Sequence, residues 1–149
     1  MRHERIRSAV ACVGLVAGLA LAASPALGEA AKWDQQRVTR LATQLAAAVK
    51  DLRVEVEKNP DQPPGLARRA QYQAREDLRL LQYTTRQLAS SLAKGEDRDA
   101  TAPIFQRVET LRRDAEENGR KGMIPEATLN KIAKAQDLLL QISPYYKEE

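Results

Sequence analysis

The segment AREDLRLLQYTTRQLASSLAKG, residues 74–95, has the most regular apolar pattern of the chain. Its apolar positions recur at alternating steps of four and three residues, which is the period of one face of an α-helix. Gly95 stands where a helix favours a left-handed C-cap. Because Ala67 and Ala70 extend the pattern backwards, we expect a long helix here. Its predicted apolar face consists of Ala74, Leu78, Leu81, Thr85, Leu88 and Leu92.

Thr85 is the one polar member of this face. A threonine hydroxyl within a helix can donate a hydrogen bond to a carbonyl oxygen one turn earlier. We therefore expect Thr85 to bond to the carbonyl of Leu81.

Three further segments repeat apolar residues at helical spacing. Asp34 is a suitable N-cap for the first, and the proline-rich residues 59–65 end it. Asp99 or Thr101 can cap the third, and Pro144 ends the fourth. With these boundaries, the four helices are predicted over about residues 34–58, 64–94, 101–118 and 125–142.

The connections between these helices are short, and short connections make consecutive helices antiparallel neighbours. No segment of useful length alternates apolar and polar residues as a β-strand does. The sequence therefore predicts an all-α fold over residues 29–149, an up-down-up-down antiparallel four-helix bundle.

The segment before this bundle, residues 1–28, has the composition of a cleavable signal peptide. Arg2, Arg5 and Arg7 make a basic opening, and residues 9–23 form a short apolar run. A retained membrane anchor is the alternative interpretation. Since crossing a bilayer takes about 20 apolar residues, this shorter run favours cleavage and export.

The cleavage site is predicted from small residues after the apolar run. Ala26 and Gly28 suit the positions that precede cleavage, which places the cut between Gly28 and Glu29. A cut after Ala30 is the second choice. The mature protein is then expected in the periplasm or secreted from the cell.

Cleavage would remove the only histidine, His3, and the only cysteine, Cys12. The formal net charge would fall from +4 to +2, because three arginines and one glutamate are lost. Without thiol or imidazole the mature chain could not form a disulfide, a Cys/His zinc site, a covalent haem attachment or a Cys–His or Ser–His catalytic pair. We therefore predict no cofactor, no metal site and no enzymatic activity.

The second helix carries a line of arginines and tyrosines, here named the Arg/Tyr ridge. Its members follow one another at steps of three and four residues, so they share one side of the helix. Residues 66–94 hold six basic side chains against only Glu76 and Asp77. The Arg/Tyr ridge consists of Arg68, Tyr72, Arg75, Arg79, Tyr83 and Arg86.

Two interpretations of the Arg/Tyr ridge remain open. The arginines can be solvated side chains that cover apolar flanks and pair with acidic groups of neighbouring helices. Alternatively the ridge binds an acidic partner, because tyrosine and arginine are enriched where interfaces bind most strongly. That partner would be another envelope protein with an acidic surface or an anionic lipid surface; export argues against nucleic acid. The expected intramolecular partners are Asp51, Glu55 and Glu57 of the first helix and Glu109 and Asp114 of the third.

Aromatic residues are predicted to meet at one end of the bundle, where both chain ends and the second connection come together. They would form either a hydrophobic plug or a small aromatic pocket. The members are Trp33, Phe105, Tyr145 and Tyr146.

These features favour an exported, non-catalytic interaction or accessory module of the cell envelope. One alternative is a carrier that holds a small apolar ligand where residues 46–48 and 67–74, rich in alanine, leave space in the core. Another is a periplasmic chaperone, which would expose an apolar concave surface.

In architecture the predicted bundle resembles the exported four-helix cytochromes of the b type and the prime type. The mature chain lacks their haem histidine and attachment cysteines, so this resemblance implies the fold alone. Helices two to four are also similar to the lumenal PsbQ-like bundle subunits of photosystem II, through arginine, leucine and glutamine at helical spacing. That likeness includes no specific motif and again implies only the fold.

Overall fold

The computed structural model describes residues 30–58, 66–120 and 125–147. Within these ranges the protein has four helices and no strand, which confirms the predicted all-α class. The proposed signal peptide and its cleavage site lie outside the described residues. The helices are α1 (Gln35–Lys58), α2 (Leu66–Ala93), α3 (Arg98–Gly119) and α4 (Glu126–Tyr146).

A shared apolar core joins the four helices. Thr85 is buried in it, and its Oγ1 donates to the carbonyl oxygen of Leu81 at 2.9 Å, as predicted. On α4, the spacing of the sequence predicts an apolar face of Leu129, Ile132, Ala135, Leu139 and Ile142. Ala135, Leu139 and Ile142 are buried as predicted, but Leu129 is 49% exposed. The neighbouring Thr128 is buried in its place. Burying a leucine side chain stabilises the fold by roughly 1.5–3 kcal/mol. The largest fully buried apolar side chains are Val38, Leu45, Val49, Leu88, Leu92, Val108 and Ile142.

The C-terminal end of α2 is capped as the sequence indicated. Gly95 has a φ of +88°, and its N–H donates to the carbonyl of Leu92 at 3.1 Å. The N–H of Glu96 donates to the carbonyl of Ser91 at 3.1 Å, which completes a Schellman motif. Gln35 of α1 adds bonds from its Nε2 to the carbonyls of Leu92 and Glu96, at 2.9 and 3.0 Å. The turn and the neighbouring helix together satisfy this helix end.

The predicted start of α3 was three residues too late. The cap is Asp97, whose Oδ1 accepts from the N–H of Ala100 at 3.0 Å, not Asp99 or Thr101. An aspartate in extended backbone immediately before a helix satisfies a first-turn N–H in this way. Pro103 consequently lies in the second turn, where its missing N–H deprives the Asp99 carbonyl of its usual partner.

The predicted end of α4 was wrong by four residues, because the helix continues through Pro144 to Tyr146. A proline within a helix removes one hydrogen bond, here the one to the carbonyl of Leu140. Burial of Tyr145 and ring packing of Tyr146 stabilise the additional turn. The carbonyl of Pro144 accepts a hydrogen bond from the N–H of Ala31 at 2.9 Å, which attaches the segment before α1 to this turn.

Helix α2 packs against both α1 and α3, and α1 also packs against α4, whereas α3 and α4 approach closely at few points. Polar side chains bridge this last pair. Gln136 Nε2 of α4 donates to Oε1 of Glu116 on α3 at 2.7 Å, and Arg112 Nη1 donates to the same oxygen at 2.8 Å. Burial raises the pKa of Glu116, but the hydrogen bonds from Gln136 and Arg112 outweigh it, so the pKa is lowered overall.

Replacing Gly95 by alanine tests the importance of the α2 cap. We expect a loss of about 1–2 kcal/mol in the free energy of unfolding, because a side chain is strained in left-handed backbone. An ideal Cβ at this position would meet no other group within 4 Å, so the cost comes from the backbone and not from a clash. Urea unfolding followed by circular dichroism measures it. Ser90→Ala, an exposed change on the same helix, should alter stability by less than about 0.5 kcal/mol; equal stability of the two variants would contradict the assignment.

Candidate functional site

The Arg/Tyr ridge lies on the part of α2 that the core leaves uncovered. Because the buried leucines occupy the opposite side of this helix, the ridge residues project outwards. Tyr72 and Tyr83 are 72% and 69% exposed, unusually high values for large aromatic side chains. Arg68, Arg79 and Arg86 are also exposed, and Arg75 is half-buried. The structure thus brings the six predicted residues onto one outer side.

The acidic residues of α2 are both engaged in hydrogen bonds. Glu76 accepts from Arg79 in a fork, with Oε1 2.6 Å from Nη2 and Oε2 2.9 Å from Nε. The hydrogen bond from Arg79 lowers the pKa of Glu76. Asp77 accepts from Asn118 Nδ2 of α3 at 2.9 Å. Arg79 therefore pairs within its own helix, not with the acidic groups of α1 or α3 that the sequence suggested.

Arg53 of α1 makes contacts at the border of the Arg/Tyr ridge. Its Nη1 donates to Oε1 of Gln82 on α2 at 2.7 Å, and its Nε donates to Glu57 on its own helix at the same distance. Glu57, one of the expected partners of the ridge arginines, is thus bonded to Arg53. This bridge fixes the middle of α2 against α1 directly beside Tyr83.

An open groove of about 550 Å³ continues the Arg/Tyr ridge towards the end of α2. Two cationic side chains, two hydroxyls, an amide and a phenol line it, which are groups that can donate hydrogen bonds to an anion. Sequence reasoning missed four of these residues, although they continue from Tyr83 at the same helical spacing. The lining residues are Tyr83, Arg86, Gln87, Ser90, Ser91 and Lys94.

Three of the four predicted end-cluster aromatics lie in direct contact. The ring of Tyr146 stacks on Phe105, with centroids 4.2 Å apart and planes 9° apart. Trp33 meets Tyr146 edge to face, with centroids 5.5 Å apart. Tyr145 instead packs into the apolar core. Trp33, Phe105 and Tyr146 therefore form one closely packed aromatic cluster.

The polar atoms of this aromatic cluster are hydrogen-bonded. The hydroxyls of Tyr146 and Thr101 lie 2.8 Å apart, and Trp33 Nε1 donates to Oε1 of Gln35 at 3.0 Å. Burial raises the pKa of Tyr146, and its bond with Thr101 offsets part of that increase. Through Gln35 the cluster is connected to the C-terminal carbonyls of α2.

The alanines and the exposed apolar side chains bear on the two alternative functions, a ligand carrier and a chaperone. Of the alanines that could have left space in the core, Ala48 and Ala70 are buried, Ala46 and Ala74 are half-buried and Ala47 is exposed. Among the described residues outside α2, the exposed large apolar side chains are Val54 on α1 and Leu129 and Leu140 on α4. Residues 30–58, 66–120 and 125–147 contain no group of three or more His, Cys, Asp or Glu side chains placed to hold a metal ion. Over the same ranges, no helix has both the length and the apolarity to cross a membrane.

Comparison with known proteins gives no significant match to this chain, whether to family models, to curated proteins or to solved structures. Its function is therefore inferred from the geometry and chemistry of the chain itself.

Tyr146→Phe tests the aromatic cluster through its pH dependence. Burial holds the folded-state pKa above the unfolded value of about 10. The neutral phenol therefore stabilises the fold below about pH 10, and that contribution is lost as the pH rises through the folded-state pKa. At neutral pH we expect Tyr146→Phe to be about 1 kcal/mol less stable than the wild type, because it lacks the hydrogen bond to Thr101. Between neutral pH and about pH 11, Tyr146→Phe should lose less stability than the wild type does.

Urea unfolding at neutral and alkaline pH measures this difference, with Tyr72→Phe as the control because Tyr72 is exposed. Tyr72→Phe should lose as much stability as the wild type between neutral pH and about pH 11, and the interpretation fails if Tyr146→Phe loses that same amount.

Proposed function

We propose that this chain is an exported, non-catalytic interaction or accessory module of the cell envelope, which binds an acidic protein partner through the Arg/Tyr ridge. The observation that carries the proposal is the exposure of Tyr72 and Tyr83 between the arginines of α2. Covering a tyrosine ring removes a large apolar area from water while its hydroxyl keeps a polar contact. Arginines beside it add bidentate donors for carboxylates.

The sign of the partner's charge follows from the composition of α2. Residues 66–94 carry six basic side chains and two acidic ones, and both acidic groups already accept hydrogen bonds within the protein. Complementary charge speeds encounter and selects among partners. An acidic protein surface satisfies both the charge and the exposed rings.

The architecture proposed for this module is an up-down-up-down bundle that follows a cleaved signal peptide. Contacts between helix ends support the alternating direction, because the start of α1 is bonded to the ends of α2 and α4. The start of α3 likewise contacts the end of α4 through Thr101 and Tyr146. The basic opening and apolar run within residues 1–28 support export.

We propose a non-catalytic role because of the residue types that the mature chain contains. After Gly28 the sequence holds neither histidine nor cysteine, so chemistry that needs an imidazole or a thiolate is closed to the mature chain. A binding role needs only the surface that α2 provides.

Charge reversal on the ridge tests the proposal. In Arg68→Glu/Arg79→Glu/Arg86→Glu three exposed ridge cations are inverted. We expect at least about tenfold weaker retention of the mature protein on the native envelope fraction, since each exposed charge contact contributes up to about 1 kcal/mol. The matched control is Arg107→Glu/Arg113→Glu/Lys134→Glu, which makes the same charge change at exposed positions of α3 and α4. Circular dichroism confirms that both variants fold.

A photo-crosslinking side chain placed at position 72 or 83 identifies what is bound, with position 140 on α4 as the control. We expect an acidic protein to be crosslinked from the ridge positions and not from position 140. Unchanged retention of the ridge variant, or crosslinks to lipid alone, would contradict the proposal.

A further inference from the structure

The Arg/Tyr ridge contains a short sequence repeat. Residues 68–75 read RRAQYQAR and residues 79–86 read RLLQYTTR, so both fit the pattern R-x-x-Q-Y-x-x-R. In each unit the tyrosine has an arginine four residues before it, an arginine three residues after it and a glutamine directly before it. We name residues 68–75 the first unit and residues 79–86 the second unit. Their offset is the step from Tyr72 to Tyr83, eleven positions along the chain.

This offset places the two units on the same side of α2. At 100° per residue, eleven positions amount to three turns plus about 20°. At 1.5 Å per residue, they separate equivalent atoms by about 16 Å along the helix. Both units lie within the unbroken helix Leu66–Ala93. The two tyrosines therefore stand at nearly the same angle on one straight scaffold.

The tyrosines and glutamines of the two units have similar exposure. Tyr72 and Tyr83 are almost equally exposed, at 72% and 69%. Gln71 and Gln82, directly before them, are both half-buried. Two positions before each tyrosine, a core residue is buried, either alanine or leucine. The core side of α2 explains the repeated burial, but packing places no requirement on an exposed tyrosine, so the repetition of the exposed side chains points to binding.

We propose that the two units are repeated subsites for one acidic α-helix of the partner, which lies along α2 and presents carboxylates at the same eleven-position offset. This inference rests on the proposed function and specifies the surface that the Arg/Tyr ridge recognises. Each tyrosine ring packs against the partner's side chains, while the arginines before and after it form charge-assisted hydrogen bonds with a carboxylate. Once one subsite is occupied, the second binds at a high effective concentration.

The structure favours a helix over a continuous anionic surface such as a lipid bilayer. Glu76 lies between Tyr72 and Tyr83, and Arg79 holds it in a forked pair. A continuous anionic plane would meet this carboxylate, with a loss of attraction, whereas a helix can place a neutral or basic side chain opposite it. A second copy of this chain is disfavoured as the occupant of the ridge, because its own α2 carries the same excess of positive charge.

The groove beside the second unit extends the same register. Lys94 follows Tyr83 by the same offset that separates Tyr83 from Tyr72, and together with Arg86 it provides the cations of the groove. A partner helix that reaches this point can place a third carboxylate there. We therefore expect the second unit to contribute more to binding than the first.

Two synthetic helical peptides test the spacing. Both are alanine-based and identical in composition, with two Glu pairs. In the in-register peptide the pairs are eleven positions apart, and in the out-of-register peptide they are nine positions apart, which turns the second pair to the opposite side of the helix. Fluorescence anisotropy with the mature protein at low ionic strength measures their affinities. We expect the in-register peptide to bind at least about fivefold more tightly.

Substitutions in the protein test whether both units are needed for the preference for the in-register peptide. Tyr72→Ala and Tyr83→Ala should each abolish the difference between the peptides, and Tyr83→Ala should also weaken binding of the in-register peptide more than Tyr72→Ala does. Leu140→Ala is the control, because Leu140 is 56% exposed on α4 and should leave both affinities unchanged. Circular dichroism checks that each variant remains folded.

Equal affinities of the two peptides, or no binding of either, would overturn the two-subsite inference. The proposed function would then still be judged separately by the envelope retention of the charge-reversed variant. Tighter binding to vesicles of anionic phospholipid than to either peptide, unaffected by the tyrosine substitutions, would assign the ridge to a lipid surface and also overturn the inference.

Discussion

Leu88 and Leu92 are almost fully buried because α1 packs along one flank of α2 and α3 packs along the other. Burying each of these side chains contributes roughly 1.5–3 kcal/mol, so the rotation of α2 about its own axis is strongly determined. A helix whose core side is held in this way must present its opposite side to solvent. The exposure of Tyr72 and Tyr83 is therefore a direct consequence of how the core forms.

The ends of α2 and α4 show how the protein satisfies helix termini with few residues. Gly95 turns the chain back at the end of α2, and Gln35 donates to the same group of carbonyls from α1. Gln35 in turn accepts from Trp33, whose ring packs against Tyr146 of α4. Hydrogen bonds and ring contacts thus connect three helices at one place, which gives the outer side of α2 a rigid support.

A rigid helix is a suitable scaffold for the two proposed recognition units, because the distance between them would not change when a partner binds. The separation of the two tyrosines depends only on helical rise, and their common direction depends only on the offset between the units. Both properties are insensitive to small shifts of α3 and α4. The proposed binding surface differs in this respect from a site built on loops, whose geometry would have to be ordered on binding.

Local patterns in the sequence determined where the helices form, that Thr85 bonds to Leu81 and that Gly95 ends α2, because each depends on residues within about one turn of helix. Only the tertiary structure decided the rest. Pro144 remains helical because two aromatic rings beyond it pack on other helices. Leu129 is exposed because the packing of α4 buries the neighbouring Thr128 instead. The spacing in the sequence identified the members of the Arg/Tyr ridge. Which helices pack beside α2 decided the rest: the exposure of the ridge, the pairing of Arg79 with Glu76 and the groove at Lys94. That packing is a long-range property, which no local pattern contains.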